Sequence, residues 1–194
     1  MQNPYLFRAK SALISAAIAY LFTAILVFQT IVVVNLKGDL IAIAWGIFVC
    51  NCVYLLFVRP KIIFYDEAIS IINPLTSSTV GWGRVEALDS RYTMSITVSG
   101  KKIHAWAAPA PGRYHARTLH ASEIKGLKLE GTLRPGDSPR SESGQALYLA
   151  KLRMENFQSH QFKSIDQVTK FNRTGLAITI AAPLFAIVVN FLLN

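Results

Sequence analysis

The side chains best suited to metal or nucleophilic chemistry in this chain are His104, His115, His120 and His160, with Cys50 and Cys52. A zinc site needs His and Cys at spacings that converge on one ion, and no His here has another His or a Cys at such a spacing. His115 and His120 lie five apart, which is wrong for one helix face. Cys50 and Cys52 are two apart inside an apolar run, so on a helix they point to different faces and cannot bond to each other. The chain has no Gly-x-x-x-x-Gly-Lys phosphate loop, no Gly-x-Ser-x-Gly elbow, no paired-carboxylate motif and no Cys framework for haem or an iron–sulfur cluster. The expected catalytic set, metal set and cofactor set are therefore all empty, and the chain reads as a non-enzyme.

What positions these residues is a membrane. Residues 11–35, 40–58 and 175–193 contain no Asp, Glu, Lys, Arg or His. About 19 apolar residues suffice to cross a hydrocarbon core of about 30 Å as a helix. Pumps, ion-coupled transporters and voltage sensors keep ionisable groups inside their spans, and these runs offer none. The first run is too long for the apolar core of a signal peptide, and Val32-Val33-Val34-Asn35 offers no small-residue cleavage site, so it reads as a retained anchor.

Basic residues set the expected orientation. Arg8 and Lys10 precede the first run, Arg59 and Lys61 follow the second, and Lys170 and Arg173 precede the third. All six belong on the cytoplasmic side, among anionic headgroups that each attracts non-specifically by about 1 kcal/mol. Leu36-Lys37-Gly38-Asp39 is then the outer turn of a helical hairpin, and the C-terminus lies outside. Of the 20 Lys and Arg, all but Lys37 fall inside, so the formal net charge of +9 follows from topology and does not call for a nucleic-acid partner. A multi-pass plasma-membrane protein is the expected localisation.

Between the second and third runs the pattern changes to short β-branched stretches separated by turn residues. Strands are expected over 61–65, 68–72, 78–82, 85–89, 92–98 and 101–106, with Asp66-Glu67 as a tight turn and Asn73-Pro74 as a break. They make an antiparallel meander, a curled sheet of about five strands with one buried face. Residues 143–160 place Leu147, Ala150, Met154 and Phe157 on one helical stripe, capped by Ser141 or Ser143, and supply a lid. The expected organisation is a cytoplasmic N-terminus and hairpin (1–58), a sheet (59–106), a basic Pro/Gly/Ser linker (107–142), a lid helix (143–160), a connector (161–174) and a third span (175–194).

Arg59-Pro60-Lys61 directly after a membrane hairpin, Ile72-Asn73-Pro74-Leu75, Trp82 after the third strand, and His104-Ala105-Trp106-Ala107-Ala108-Pro109-Ala110-Pro111-Gly112 carry a resemblance. From about residue 42 to 112, and more loosely over the lid helix, the chain resembles the actinobacterial membrane proteins with a bacterial PH-like domain. That family includes low molecular weight protein antigen six. The resemblance implies two membrane helices followed by a cytoplasmic PH-like curled antiparallel sheet closed by a helix, with no established catalytic activity. The third span is a feature beyond that pattern. Phosphate recognition in eukaryotic PH domains relies on Lys and Arg on the first strand and in the first hairpin loop; this chain's loop has Asp66 and Glu67, which repel a phosphorylated headgroup, so specific phosphoinositide binding is not expected.

Partner contacts have three candidate sources. Gln29, Asn51 and Asn190 are costly in lipid unless they bond to another helix, either within the hairpin (Asn51 with Gln29) or on a separate protein. Trp82 and Trp106 are either buried strand aromatics or exposed anchors. Arg113, Arg117, Arg134 and Arg140 give the linker its basic charge, suited to solvation beside an anionic membrane or to docking. The expected function is a non-enzymatic accessory or scaffold subunit of a larger membrane protein complex, with respiratory complexes among plausible hosts. A stand-alone anionic-lipid or envelope-stress module, and an enzyme with an unrecognised site, are the alternatives.

Overall fold

The computed structural model describes residues 1–33, 36–111, 141–160, 162 and 165–192, without the side chains of residues 36 and 37. It divides into two compact units, one helical (Lys10–Arg59, Pro74–Thr76, Phe171–Asn194) and one built on sheets (Met1–Ala9, Pro60–Asn73, Ser77–Lys170).

The helical unit holds α1 (Lys10–Val33), α2 (Leu36–Val53) and α4 (Arg173–Leu192). α2 runs on into a π-helical turn, Tyr54–Val58, closed by the Arg59 amide donating to the Tyr54 carbonyl at 2.7 Å. Pro60 has no amide hydrogen and cannot extend it. Lys10–Val33, Gly38–Val58 and Arg173–Leu192 are each long and apolar enough to cross a membrane. A helix meets its own backbone hydrogen bonds, which is what an environment without water demands. Leu36, Lys37, Gly38 and Asp39, expected as a turn, instead form the first turn of α2. There the Asp39 carboxylate lies at the positive end of the helix dipole. Gly46 lets α2 approach α1, because a methyl group at that position would come within 2.8 Å of the Val27 side chain.

The sheet unit departs from the expected single sheet of about five strands. Among the described residues eight strands form two antiparallel sheets, one of five in the order β1-β2-β3-β4-β8 and one of three in the order β5-β6-β7. The strands are β1 (Tyr5–Phe7), β2 (Lys61–Phe64), β3 (Ala68–Ile72), β4 (Thr76–Gly81), β5 (Ala87–Asp89), β6 (Thr93–Val98), β7 (Lys101–Pro109) and β8 (Val168–Phe171). A 3-10 turn at Trp82–Arg84 separates β4 from β5 and is the physical reason for two sheets. β1 and β8 are too short for alternation to announce them, and each lies two residues or fewer from a long apolar helix.

Period-two alternation aims Ile62, Phe64, Ile69, Ile71 and Val80 from the first sheet and Met94, Ile96, Val98 and Ala105 from the second into one core. Helix α3 (Glu142–His160) closes it with Ala146 and Ala150, both fully buried, while Met154 and Phe157 pack at its margin. The small residues let the helix axis lie close to the sheets. Ser141 starts α3 by accepting the Gly144 amide at 2.9 Å, an N-cap bond. At the far end of β4, the backbone of Ile165 presses against Gly81, where a Cβ would stand 2.4 Å from the Ile165 carbonyl oxygen. Arg84 and Asp166 form an ion pair beside this crossing.

Gly81→Ala therefore forces the 165–167 segment off β4 and lowers stability by about 1–3 kcal/mol, as overpacking does elsewhere. Thermal unfolding of the detergent-solubilised chain measures this, with exposed Gly83→Ala as the comparison expected to cost much less.

Candidate lipid and partner interfaces

The short link between α1 and α2 makes them antiparallel, and α4 is fixed against α2 by a hydrogen-bond cluster. The Asn51 amide donates to the Gly175 carbonyl (3.1 Å) and the Thr179 hydroxyl (2.8 Å), while Thr179 donates to the same carbonyl (2.8 Å). These bonds place the start of α4 beside the end of α2. Lys10, Arg59 and Arg173 consequently lie at one end of the helical unit. Over the residues of that unit the only acidic side chain is Asp39, at the opposite end.

Asn51 thus requires correction as a partner-seeking residue and as a mate for Gln29: its amide hydrogens are used by the third helix. Gln29 and Asn190 are exposed on the unit's surface, and no hydrogen bond among the described residues reaches either side chain. Between α1 and α2 an apolar hollow of about 240 Å³ is lined by Leu26, Val27, Trp45 and Val49 together with Thr23 and Thr30. Both threonine hydroxyls donate to their own helix four residues back, at 2.8 and 2.9 Å, and so add no polarity to it.

Arg59, expected among headgroups, is bonded within the chain. Its guanidinium donates to the Pro74 carbonyl at 3.0 Å, and Asn172 holds the next residue through its amide, which donates to the Leu75 carbonyl at 2.7 Å. The Asn172 side chain also caps α4 by accepting the Gly175 amide at 3.2 Å. Of the other expected headgroup residues, Arg8 is half-buried with its Nε unbonded among the described residues, Lys61 lies half-buried opposite Ile72, and Lys170 is exposed on β8.

Trp82 is corrected from a partner anchor to a core residue. It is 1% exposed, and its indole donates to the Tyr65 carbonyl at 3.0 Å. A large aromatic with its single donor satisfied has nothing left to offer a partner. Trp106 is 56% exposed on β7. Its backbone amide donates to Asn73 Oδ1 at 2.9 Å, and Asn73 Nδ2 donates to the His104 carbonyl at 2.8 Å. One side-chain amide thereby pairs with the edge of β7 as a neighbouring strand would. The Asn73-Pro74 break and the His104-Ala105-Trp106 stretch, far apart in sequence, meet through this bond pair.

Asp66 and Glu67, read as a bare acidic loop, are engaged. Glu67 accepts the Gln2 amide at 3.0 and 3.2 Å, and Asp66 accepts from the Asn3 side chain at 2.7 Å and pairs with Arg153 of α3. No local pattern signals these bonds, which join residues 63 to 87 positions apart. On the second sheet, burial raises the Asp89 carboxyl, but the Lys102 ammonium at 3.1 Å and the Arg91 and Ser90 amides outweigh it and hold its pKa below the usual value.

His104 is exposed on β7, and His160 stacks on Phe162 at 5.8 Å between ring centres. Among the described residues no three His, Cys, Asp or Glu side chains are grouped to hold a metal ion. His115, His120, Arg113, Arg117, Arg134 and Arg140 lie outside the described residues. Comparison with protein families, with curated proteins and with solved structures finds no match for the chain.

Removing the interhelical amide tests the helical cluster. Asn51→Leu is expected to lower the detergent-state stability by about 1 kcal/mol, and a double-mutant cycle with Thr179→Val to give a coupling of about 0.6 kcal/mol. For Asp89, a depressed folded pKa means its stabilisation is present above the unfolded pKa and is lost as pH falls through the folded one. Asp89→Asn should thus lower the melting temperature at pH 7, and that deficit should shrink on acidification below the ordinary carboxylate range.

Proposed function

We propose that the chain is a non-enzymatic, membrane-anchored accessory or scaffold subunit that joins a larger assembly of integral membrane proteins. The observation that carries this reading is the pair of amides, Gln29 and Asn190, exposed on the apolar helices with no hydrogen bond among the described residues, while Asn51 is satisfied within the bundle. An amide facing hydrocarbon is costly, and a helix of another chain relieves the cost. Uncharged spans favour assembly over transport.

The sheet unit is read as the PH-like module of an actinobacterial membrane protein. The run β2 to β7 in two antiparallel sheets, followed by α3 on their common core, supports that reading. Its outward Trp106 and the basic 107–142 segment are the proposed protein-binding surface. The module is assigned to the cytoplasmic face on the positive-inside rule. Pairing of β1 with β2 supports an even number of crossings between them, as two spans supply. Arg8, Lys10, Arg59, Lys61, Lys170 and Arg173 meet anionic lipid at that face without headgroup specificity.

Purification of the tagged chain from its native membrane in mild detergent, followed by mass spectrometry, tests the proposal. A stoichiometric set of subunits that is lost with Gln29→Leu and Asn190→Leu is the expected result. The chain alone with lipid would replace this reading by the stand-alone lipid module.

A further inference from the structure

The connection between β3 and β4 has a feature that neither its sheet nor its core explains. Pro74–Thr76 belongs to the helical unit although the residues on either side belong to the sheet unit. Two residues hold it there. Arg59, the first residue after the second span, bonds to the Pro74 carbonyl, and Asn172, the cap of the third, bonds to the Leu75 carbonyl. Both holders sit where a span ends, so the loop's depth is fixed at the edge of the hydrocarbon.

At that depth the loop presents a leucine. Leu75 is 36% exposed and is no part of the buried core. Within the helical unit the charge at this end is of one sign: Lys10, Arg59 and Arg173 lie here, and the unit's acidic side chain, Asp39, lies at the opposite end. α1 and α4 also begin here, so the positive ends of their dipoles face the same region. A surface that is apolar at its tip and positive around it is complementary to a leaflet with anionic phosphates above acyl chains.

We infer that Pro74–Thr76 is an interfacial lipid anchor, with Leu75 seated at the boundary between anionic headgroups and acyl chains. The inference rests on the reading of the three helices as spans and is independent of any protein partner. It deepens the lipid contact from scattered basic residues to one site at which a loop, two span ends and a leaflet meet.

The test uses the full chain carrying Cys50→Ala and Cys52→Ala, reconstituted in vesicles of phosphatidylcholine and phosphatidylglycerol. An environment-sensitive fluorophore is placed at Leu75→Cys, at exposed Tyr92→Cys as the aqueous reference, and at Ile25→Cys as the span reference. The Leu75 label is expected to emit to the blue of the Tyr92 label, to resist iodide at least several-fold better, and to be quenched by lipids brominated near the headgroup. Vesicles of phosphatidylcholine alone should weaken these effects. A Leu75 label as accessible as Tyr92, or protected from iodide yet unquenched by brominated lipid, overturns the anchor while leaving the spans intact if Ile25 is quenched. An Ile25 label that lipids brominated deep in the acyl chains leave unquenched overturns the span reading and the anchor with it. Equal behaviour in neutral vesicles overturns the anionic component.

Discussion

A polar group taken out of water is costly until it finds a partner, and this constraint shapes both units. In the helical unit it turns the hydroxyls of Thr23 and Thr30 back onto their own helix and commits Asn51 to the third helix. In the sheet unit it fixes the buried Trp82 indole against the Tyr65 carbonyl. Each bond is modest in net energy, but leaving one unmade in a buried setting is expensive, so the alternatives to the observed packing are penalised. Helix choice follows from this asymmetry: α2 meets α1 through a glycine and meets α4 through an amide, and the two contacts are not interchangeable.

Much of the architecture was legible because it depends on local pattern. Uncharged apolar runs announced three long helices, β-branched alternation announced the strands from Lys61 onward, and the 147/150/154/157 stripe announced α3. What escaped depends on distance along the chain. Two sheets replaced one because a 3-10 turn at Trp82 interrupts the meander, and that turn carries no signal beyond Gly81 and Gly83. β1 was invisible because three residues cannot show a period and their partner lies more than fifty positions away.

The candidate interfaces show the same division. That basic residues gather at one end of the helices follows from the sequence once the helices are counted. That Arg59 spends hydrogen bonds on the Pro74 carbonyl, and that Asn172 both caps α4 and grips Leu75, does not. The two tryptophans illustrate the limit well. Both are expected in strands, yet Trp82, in the 3-10 turn that follows β4, is 1% exposed and bonded to the Tyr65 carbonyl, while Trp106, on β7, is 56% exposed.

The five-stranded sheet draws its outer strands from positions more than 160 residues apart: β1 (Tyr5–Phe7) precedes the first long helix and β8 (Val168–Phe171) stops one residue before the third. During synthesis β1 emerges first and must wait, unpaired, through the making of both α1 and α2 before β2 exists to receive it. β8 closes the other edge only after every other strand of the two sheets has been made, and the ribosome then delivers α4 at once. Completion of the sheet and synthesis of α4 thus fall in the same interval of translation. A chain stalled or truncated before residue 168 would leave β4 as a bare edge, the kind of surface that recruits strands from other molecules.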